Sequence, residues 1–127
     1  MSTLNDQHMA AALQSYVDGI SNSDLNAIID LFAEDAVVED PVGTDPHIGH
    51  AALREFYQMA CDSVSKMVLE GNVRATKKWA AAGMLAYPKG AEDSLVIETL
   101  DVMEFNDEGK IIRMTAYWGD SNMRAIS

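Results

Sequence analysis

Basic residues and cysteine are scarce in this sequence, and both shortages restrict what the protein can bind. Nine lysine and arginine residues stand against 20 aspartate and glutamate residues, which gives a formal net charge of -11. A surface this acidic repels phosphate backbones and anionic lipid headgroups, so we expect neither nucleic acid nor a membrane as a partner. Cys61 is the single cysteine, so no intrachain disulfide can form. A neutral or apolar small molecule is the partner that this composition accommodates most easily.

Long apolar runs, repeats and low-complexity tracts are also missing. No apolar run approaches the roughly 20 residues that a membrane-spanning helix needs, and residues 1–13 lack the basic and apolar regions of a signal peptide. We therefore expect a soluble protein of the cytoplasm. No linker divides the 127 residues, so the sequence predicts one domain over 1–127. The hydrophobic fraction of 48% is enough for a core and for a cavity lined by apolar side chains.

Apolar residues at helical spacing predict three helices in the first half of the chain. The first helix, which Thr3 or Asn5 could cap, has an apolar face made of Met9, Leu13, Tyr16, Val17 and Ile20. The second begins at Ser23, a favourable N-cap residue, and its apolar face consists of Leu25, Ile28, Ile29 and Phe32. The third starts near Ala51 and carries on one face Leu53, Phe56, Tyr57 and Ala60.

The remaining segments have the pattern of strands. A short strand is expected at residues 36–39, and longer ones near 65–76, 79–87, 94–105 and 110–119, with turn residues between them. Because no helix-length pattern separates the later strands, they are expected to form an antiparallel meander. Helices followed by a sheet predict the α+β class. The three N-terminal helices would lie across a curved, mostly antiparallel sheet and form a cone around an apolar cavity.

Two polar residues of the first half lie among apolar neighbours. Tyr16 belongs to the apolar face of the first helix, where position alone favours a core tyrosine whose hydroxyl finds a partner. Asp40 lies in the segment VVEDPVG (residues 37–43), and strand alternation points it away from the face of Glu39. Taken alone, Asp40 is most simply a turn aspartate that makes local hydrogen bonds. Its valine and proline neighbours are nevertheless a poor environment for a charge.

Asp101 is unusual because it lies inside the strongest strand pattern, SLVIETLDVMEF (residues 94–105). Leu100 and Val102 flank it, and Thr99 and Met103 share its face, so the strand is expected to be central. Burying an ionised carboxylate there costs several kcal/mol unless the charge is paired. A protonated carboxyl group with a raised pKa is the cheaper solution, and it can donate a hydrogen bond. An exposed aspartate at the mouth of the cavity is the alternative.

The histidines and Cys61 give weaker signals. His47 and His50 lie in DPHIGH (residues 45–50), where a proline and a glycine interrupt the helix that could turn both toward one metal ion. No histidine is expected in a strand or on the apolar face of a helix. Cys61 ends the third helix and is expected to pack in the core. The sequence therefore predicts no metal site and no nucleophilic cysteine.

Taken together, these segments resemble the bacterial ketosteroid isomerase family over nearly the whole chain. The similar segments are the first helix with Tyr16, DLNAIIDLFAEDAVVEDPVG (24–43), ALREFYQ (52–58), LDVMEF (100–105) and MTAYW (114–118). The VEDPVG stretch and the aspartate before VMEF are the most specific of them. The family has a cone-shaped fold that nuclear-transport-factor-2-like and polyketide-cyclase-like proteins share.

The resemblance implies a role for each matching residue. Asp40 matches the catalytic base, and Tyr16 and Asp101 match the two oxyanion-hole donors; a protonated aspartate donor is an established feature of that family. Tyr57 matches a tyrosine that hydrogen-bonds the oxyanion tyrosine. The positions of the steroid pocket are matched by Phe56, Met114, Ala116 and Trp118. Phe32 is a departure, because some members have a tyrosine there that extends the hydrogen-bond chain.

The activity implied by the resemblance is a steroid delta-isomerase. It converts β,γ-unsaturated 3-ketosteroids into α,β-unsaturated ones through a dienolate, and it needs no metal or organic cofactor. The expected ligand is a steroid or a similarly flat apolar ketone, and a homodimer is the family expectation.

Two other functions are open at this point. One is a dehydratase, cyclase or epoxide hydrolase on the same cone, whose cavities often contain a histidine–aspartate pair. The other is a non-catalytic module that binds a small apolar ligand, because a fold does not fix a function. Such a module needs a cavity but no base, and an Asp40 that points out of the cavity would favour it.

Overall fold

The computed structural model describes residues 4–126 of the chain. Its α-helices are α1 (Asp6–Ser21), α2 (Leu25–Ile29) and α3 (Gly49–Ser63), and a short 3₁₀ helix spans Asp120–Asn122. Its strands are β1 (Phe32–Glu39), β2 (His47–Ile48), β3 (Val64–Thr76), β4 (Trp79–Pro88), β5 (Leu95–Phe105), β6 (Ile111–Tyr117) and β7 (Met123–Ala125). None of the helices in residues 4–126 is long and apolar enough to cross a membrane.

Capping side chains explain where the first two helices begin. Asn5 caps α1, because its side-chain oxygen accepts a 2.7 Å hydrogen bond from the backbone N–H of His8. Thr3, the other candidate cap, lies outside the described residues. The cap of α2 is Asp24 and not Ser23, which corrects the expected start: Asp24 accepts from the N–H of Ala27, whereas Ser23 has a left-handed φ of 53°.

The second helix ends before Phe32, earlier than the sequence pattern predicts. The helix stops at Ile29, and Phe32 opens β1, where it pairs with Ile111 of β6. Strand pairing therefore overrides the helical spacing at this position, and β1 is longer than the short strand expected at 36–39. The two-residue strand β2 and the three-residue strand β7 were not expected either, because strands this short carry no periodicity.

The strands form one curved, open sheet in the order β2-β1-β6-β5-β4-β3, and β7 pairs with β5. The strands β3 to β6 pair antiparallel in sequence order, which confirms the expected meander. β1 and β6 are parallel neighbours, so the loop that follows β1 lies close to the end of β6. The α+β cone with a mostly antiparallel sheet is thereby confirmed.

The helices cover the inner face of the sheet, and the core lies between them. In the middle of that face Ala82, Asp101 and Ala116 are aligned in register across three strands, and all are buried. Leu100 points to the opposite face and is 47% exposed. Cys61 is buried in the core, as expected. The register thus places one carboxyl group, that of Asp101, on the covered face of the sheet.

Candidate active site

A cavity of about 220 Å³ lies between the helices and the inner face of the sheet. Tyr16, Asp40 and Asp101 all line it, although they come from α1, from the position directly after β1 and from β5. Most of its remaining wall is apolar and is formed by Ile20, Phe56, Met59, Ala60, Val64, Met67, Ala86, Ile97 and Trp118. Three polar groups from distant parts of the sequence therefore meet in one apolar space.

The hydroxyl groups of Tyr16 and Tyr57 are joined by a 3.0 Å hydrogen bond. Both residues are at most 1% exposed, and their rings pack edge to face with centroids 5.6 Å apart. Burial raises the pKa of each tyrosine well above its usual range, so both hydroxyls keep their protons at neutral pH. When Tyr57 donates to Tyr16, the Tyr16 proton is free for a ligand. The buried ring of Phe32 packs against both tyrosines and adds no hydroxyl to the chain.

Asp40 directly follows β1 and is partly buried at the cavity. Its Oδ1 accepts a 2.7 Å hydrogen bond from the indole Nε1 of Trp118. Burial raises the pKa of Asp40, while the Trp118 hydrogen bond and the nearby charge of His47 act to lower it. The local turn contact belongs instead to Glu39, whose Oε2 accepts from the N–H of Gly43 at 3.0 Å. Asp40 therefore faces the cavity and is not merely a turn aspartate.

Asp101 is 1% exposed and is the only charged residue among the buried ones in the described part of the chain. Its Oδ1 accepts a 2.9 Å hydrogen bond from Thr99 Oγ1, whereas its buried Oδ2 has no hydrogen-bond partner among residues 4–126. Burial, assisted by the negative charge of Asp40, raises the pKa of Asp101 to about 7, against the opposing effect of the Thr99 hydrogen bond. A neutral carboxyl group is thus available near neutral pH, and it can donate a hydrogen bond.

Three contacts of the site were not expected from the sequence. Thr99 shares the face of Asp101, but its hydrogen bond to that carboxyl group was not foreseen. Trp118 lines the cavity as expected, and its hydrogen bond to Asp40 joins residues 78 positions apart, which no local pattern reveals. His47 lies in β2, contrary to the expectation that no histidine falls in a strand. Its ring stacks on Phe56 with centroids 4.5 Å apart.

Two of the expected pocket residues do not border the cavity. Phe56, Tyr57 and Trp118 line it, but Met114 and Ala116 are absent from its wall and lie fully buried in the core. Met114 is in register with Met103, and Ala116 with Asp101, so the two residues support the inner face of the sheet. Alternation in β6 assigns the correct face to both, but it does not say how far the cavity extends along that face.

Comparisons with known proteins agree with this fold. The family model of the SnoaL-like domain matches residues 13–114. Steroid Delta-isomerase of Nocardioides simplex is 38% identical over 114 residues, which are 89% of this chain and 91% of that protein. In fold, the chain is similar to the epoxide hydrolase/cyclase-like enzyme SalBIII, described as having a role in pyran ring formation in polyether salinomycin. That likeness has a TM-score of 0.84 and 27% sequence identity, and it covers 95% of this chain and 98% of SalBIII.

The match to the SnoaL-like model spans most of the chain, and the likeness to a steroid delta-isomerase spans nearly all of it. The resemblance found in the sequence is thereby confirmed at the level of the family. The chain belongs to the SnoaL-like domain family, on the cone-shaped fold that this family shares with steroid delta-isomerases and cyclase-like enzymes.

Proposed function

We propose that this protein is a steroid delta-isomerase that converts β,γ-unsaturated 3-ketosteroids into the conjugated α,β-unsaturated ketones. The observation that carries the proposal is the meeting of Asp40, Tyr16 and Asp101 on one apolar cavity. The 38% identity to a steroid delta-isomerase over most of the chain supports the same reaction. An enzyme of this kind needs one base and two hydrogen-bond donors that stabilise the oxyanion. The cavity offers one carboxylate for the base, and one tyrosine and one neutral carboxyl group for the donors.

Asp40 is the base in this proposal. Its carboxylate takes a proton from the carbon next to the ketone, the electron pair moves onto the ketone oxygen, and a dienolate forms. The same carboxyl group then returns the proton to the far carbon of the dienolate, so the double bond moves and no atom is gained or lost. The Trp118 hydrogen bond favours the ionised form of Asp40 against the effect of burial. General base catalysis of this kind contributes about 10²–10⁴-fold to the rate.

Tyr16 and neutral Asp101 stabilise the negative charge on the dienolate oxygen. Their protons are retained at neutral pH or close to it, because burial raises the pKa of both groups. In a dry cavity each such donor is worth roughly 10²–10³-fold in rate. Tyr57 holds the Tyr16 hydroxyl through the 3.0 Å hydrogen bond and has no direct part in the reaction. No step of this chemistry calls for a metal or an organic cofactor.

The apolar wall supports a flat, largely hydrocarbon substrate. Beyond the donors, the cavity is lined by aliphatic side chains and methionines, including Ile20, Met67 and Ile97. The rings of a steroid would bury their apolar surface there, at roughly 25 cal/mol per Å². Phe56 and Trp118 add aromatic surface.

A homodimer is the second part of the proposal. The outer face of the sheet carries large apolar side chains that no helix of residues 4–126 covers, among them Leu100, Trp79 and Tyr117. Leu100 and Tyr117 are in register on neighbouring strands, so their side chains form one continuous surface. A second copy of the chain would cover it.

A cyclase or dehydratase is the alternative enzyme, and the likeness to SalBIII favours it. Relatives of that kind often use a histidine with an aspartate, and His47 does act electrostatically on Asp40. His47, however, does not line the cavity. Ultraviolet absorbance separates the two functions: purified protein mixed with a β,γ-unsaturated 3-ketosteroid should form the conjugated enone. A cyclase or a binding module would leave the spectrum of the steroid unchanged.

A further inference from the structure

Thr99 lies beside Asp101 on the wall of the cavity. The two residues are two positions apart in β5, so their side chains project from the same face of the sheet. Thr99 Oγ1 donates a 2.9 Å hydrogen bond to Asp101 Oδ1, and Thr99 itself lines the cavity. The strands on either side offer no polar alternative, because Asp101 is in register with Ala82 of β4 and Ala116 of β6.

The hydrogen bond makes the two carboxyl oxygens of Asp101 different. Oδ1 is occupied by the Thr99 hydroxyl, while the buried Oδ2 has no partner among the described residues. An oxygen that accepts a hydrogen bond is the poorer position for the proton of the neutral acid, because the hydroxyl oxygen of a carboxyl group is a much weaker acceptor than its carbonyl oxygen. The proton is therefore favoured on Oδ2, where it lacks an acceptor until a ligand oxygen enters the cavity.

We propose that Thr99 is a positioning residue, which orients the Asp101 carboxyl group so that its proton is carried by Oδ2 and presented to the substrate ketone. This inference rests on the proposed isomerase function and adds a residue to it. Without Thr99 the carboxyl group is free to turn about its Cβ–Cγ bond, and either oxygen can carry the proton. The correctly oriented donor is then present for only part of the time.

The Thr99 hydrogen bond orients the Asp101 carboxyl group, but it also makes that group easier to deprotonate. A hydroxyl that donates to a carboxyl group stabilises its ionised form, so the Thr99 hydrogen bond lowers the pKa of Asp101 while burial and Asp40 raise it. The pKa of about 7 is the balance of these three effects. The other titratable groups around Asp101 are Tyr16 from α1, Tyr57 from α3 and Asp40 after β1. None of these donates to Oδ1, so removal of the Thr99 hydroxyl leaves that oxygen unpaired.

The test is the pH profile of Thr99→Val, a substitution that keeps the branched shape and removes the hydroxyl. We expect kcat to fall by about three- to tenfold, the effect of one lost hydrogen bond. The alkaline limb of kcat/KM should at the same time move to higher pH, because neutral Asp101 persists further. Thr99→Ser should restore both values. The matched control is Thr76→Val, at the exposed end of β3, which should change neither.

Infrared difference spectra provide a second readout that does not depend on turnover. The carbonyl band of neutral Asp101 is identified by its loss in Asp101→Asn. In Thr99→Val that band should shift to higher frequency and persist to higher pH. An unchanged band together with an unchanged alkaline limb would overturn the role of Thr99 even in an active isomerase. A shifted band in a protein that isomerises no ketosteroid would support the orientation by Thr99 and overturn the proposed function instead.

Discussion

The indole of Trp118 donates a 2.7 Å hydrogen bond to the carboxylate of Asp40, and this contact links the chain just after β6 to the chain just after β1. The parallel pairing of these two strands brings the two residues together. The hydrogen bond favours the ionised form of Asp40, which is the form that a base requires.

The first prediction concerns Trp118→Phe, which keeps an aromatic ring but removes the donor. The pKa of Asp40 should rise further, because burial is then less opposed. A base must be ionised to act, so the acid limb of the kcat/KM profile should move to higher pH. The control is Trp79→Phe, since Trp79 lies on the outer side of the sheet and away from the cavity. Coincident acid limbs in the two variants would show that the indole hydrogen bond does not tune the base.

The second prediction compares two substitutions of Asp101 that differ in hydrogen bonding. Asp101→Asn should retain substantial activity, because an amide still donates to the dienolate oxygen. Asp101→Leu cannot donate and should lose about 10²–10³-fold in kcat. Both variants should still bind the steroid, since the apolar wall is unchanged. Equal rates of steroid conversion for the Asn and Leu variants would contradict the donor role.

The third prediction is the pH dependence of stability. Asp101 has a pKa of about 7 in the folded protein, raised from an ordinary value of 3.8, so the native state retains a proton that the unfolded chain has lost between these values. The contribution of Asp101 is fully favourable below about pH 4 and is lost as the pH rises through about 7. The free energy of unfolding that is lost in this way is at most roughly 4 kcal/mol.

Urea unfolding of the protein and of Asp101→Asn, at pH 5 and at pH 8, measures the larger part of this loss. The free energy of unfolding should fall toward pH 8 more steeply in the unmodified protein, because the amide does not titrate. Parallel pH dependences in the two proteins would mean that Asp101 does not carry a raised pKa.

The fourth prediction addresses the outer face of the sheet. If Leu100 is buried between two copies of the chain, Leu100→Lys should convert a dimer into a monomer, because a buried unpaired ammonium is costly. The matched control is Ile48→Lys, at an exposed apolar residue in the edge strand β2, three strands away from β5, which should stay dimeric. Sedimentation velocity at micromolar concentration distinguishes the two states. A monomer for the unmodified protein would refute the homodimer.

Local sequence patterns predict much of this fold, because most elements are long enough to show a period. The apolar faces of α1 and α3 and the extents of β3 to β6 follow from spacing and turn residues. Asp101 is identified by its apolar flanks, since an aspartate in such a strand is out of place unless it is neutral. The patterns fail at Phe32, where pairing with Ile111 decides between helix and strand.

Contacts between distant elements are what the sequence alone does not reveal. Neither the Trp118–Asp40 hydrogen bond nor the stacking of His47 on Phe56 has a local signature. Periodicity assigns Met114 and Ala116 to the inner face, but the depth of the cavity depends on how the helices lie across the sheet. The sequence pattern therefore predicts which face a residue occupies, whereas the packing of the helices determines which residues border the cavity.

The most direct measurement compares the unmodified protein with Asp40→Asn in forming the conjugated enone from a β,γ-unsaturated 3-ketosteroid, followed by ultraviolet absorbance. The amide keeps the shape of the carboxylate but cannot take the proton, so kcat should fall by about 10²–10⁴-fold while the dissociation constant of the steroid changes little. Enone formation by the unmodified protein, and its loss in Asp40→Asn with steroid binding intact, is the expected result. No enone from the unmodified protein, or equal rates from both, would contradict the proposal that Asp40 is the base of a steroid isomerase.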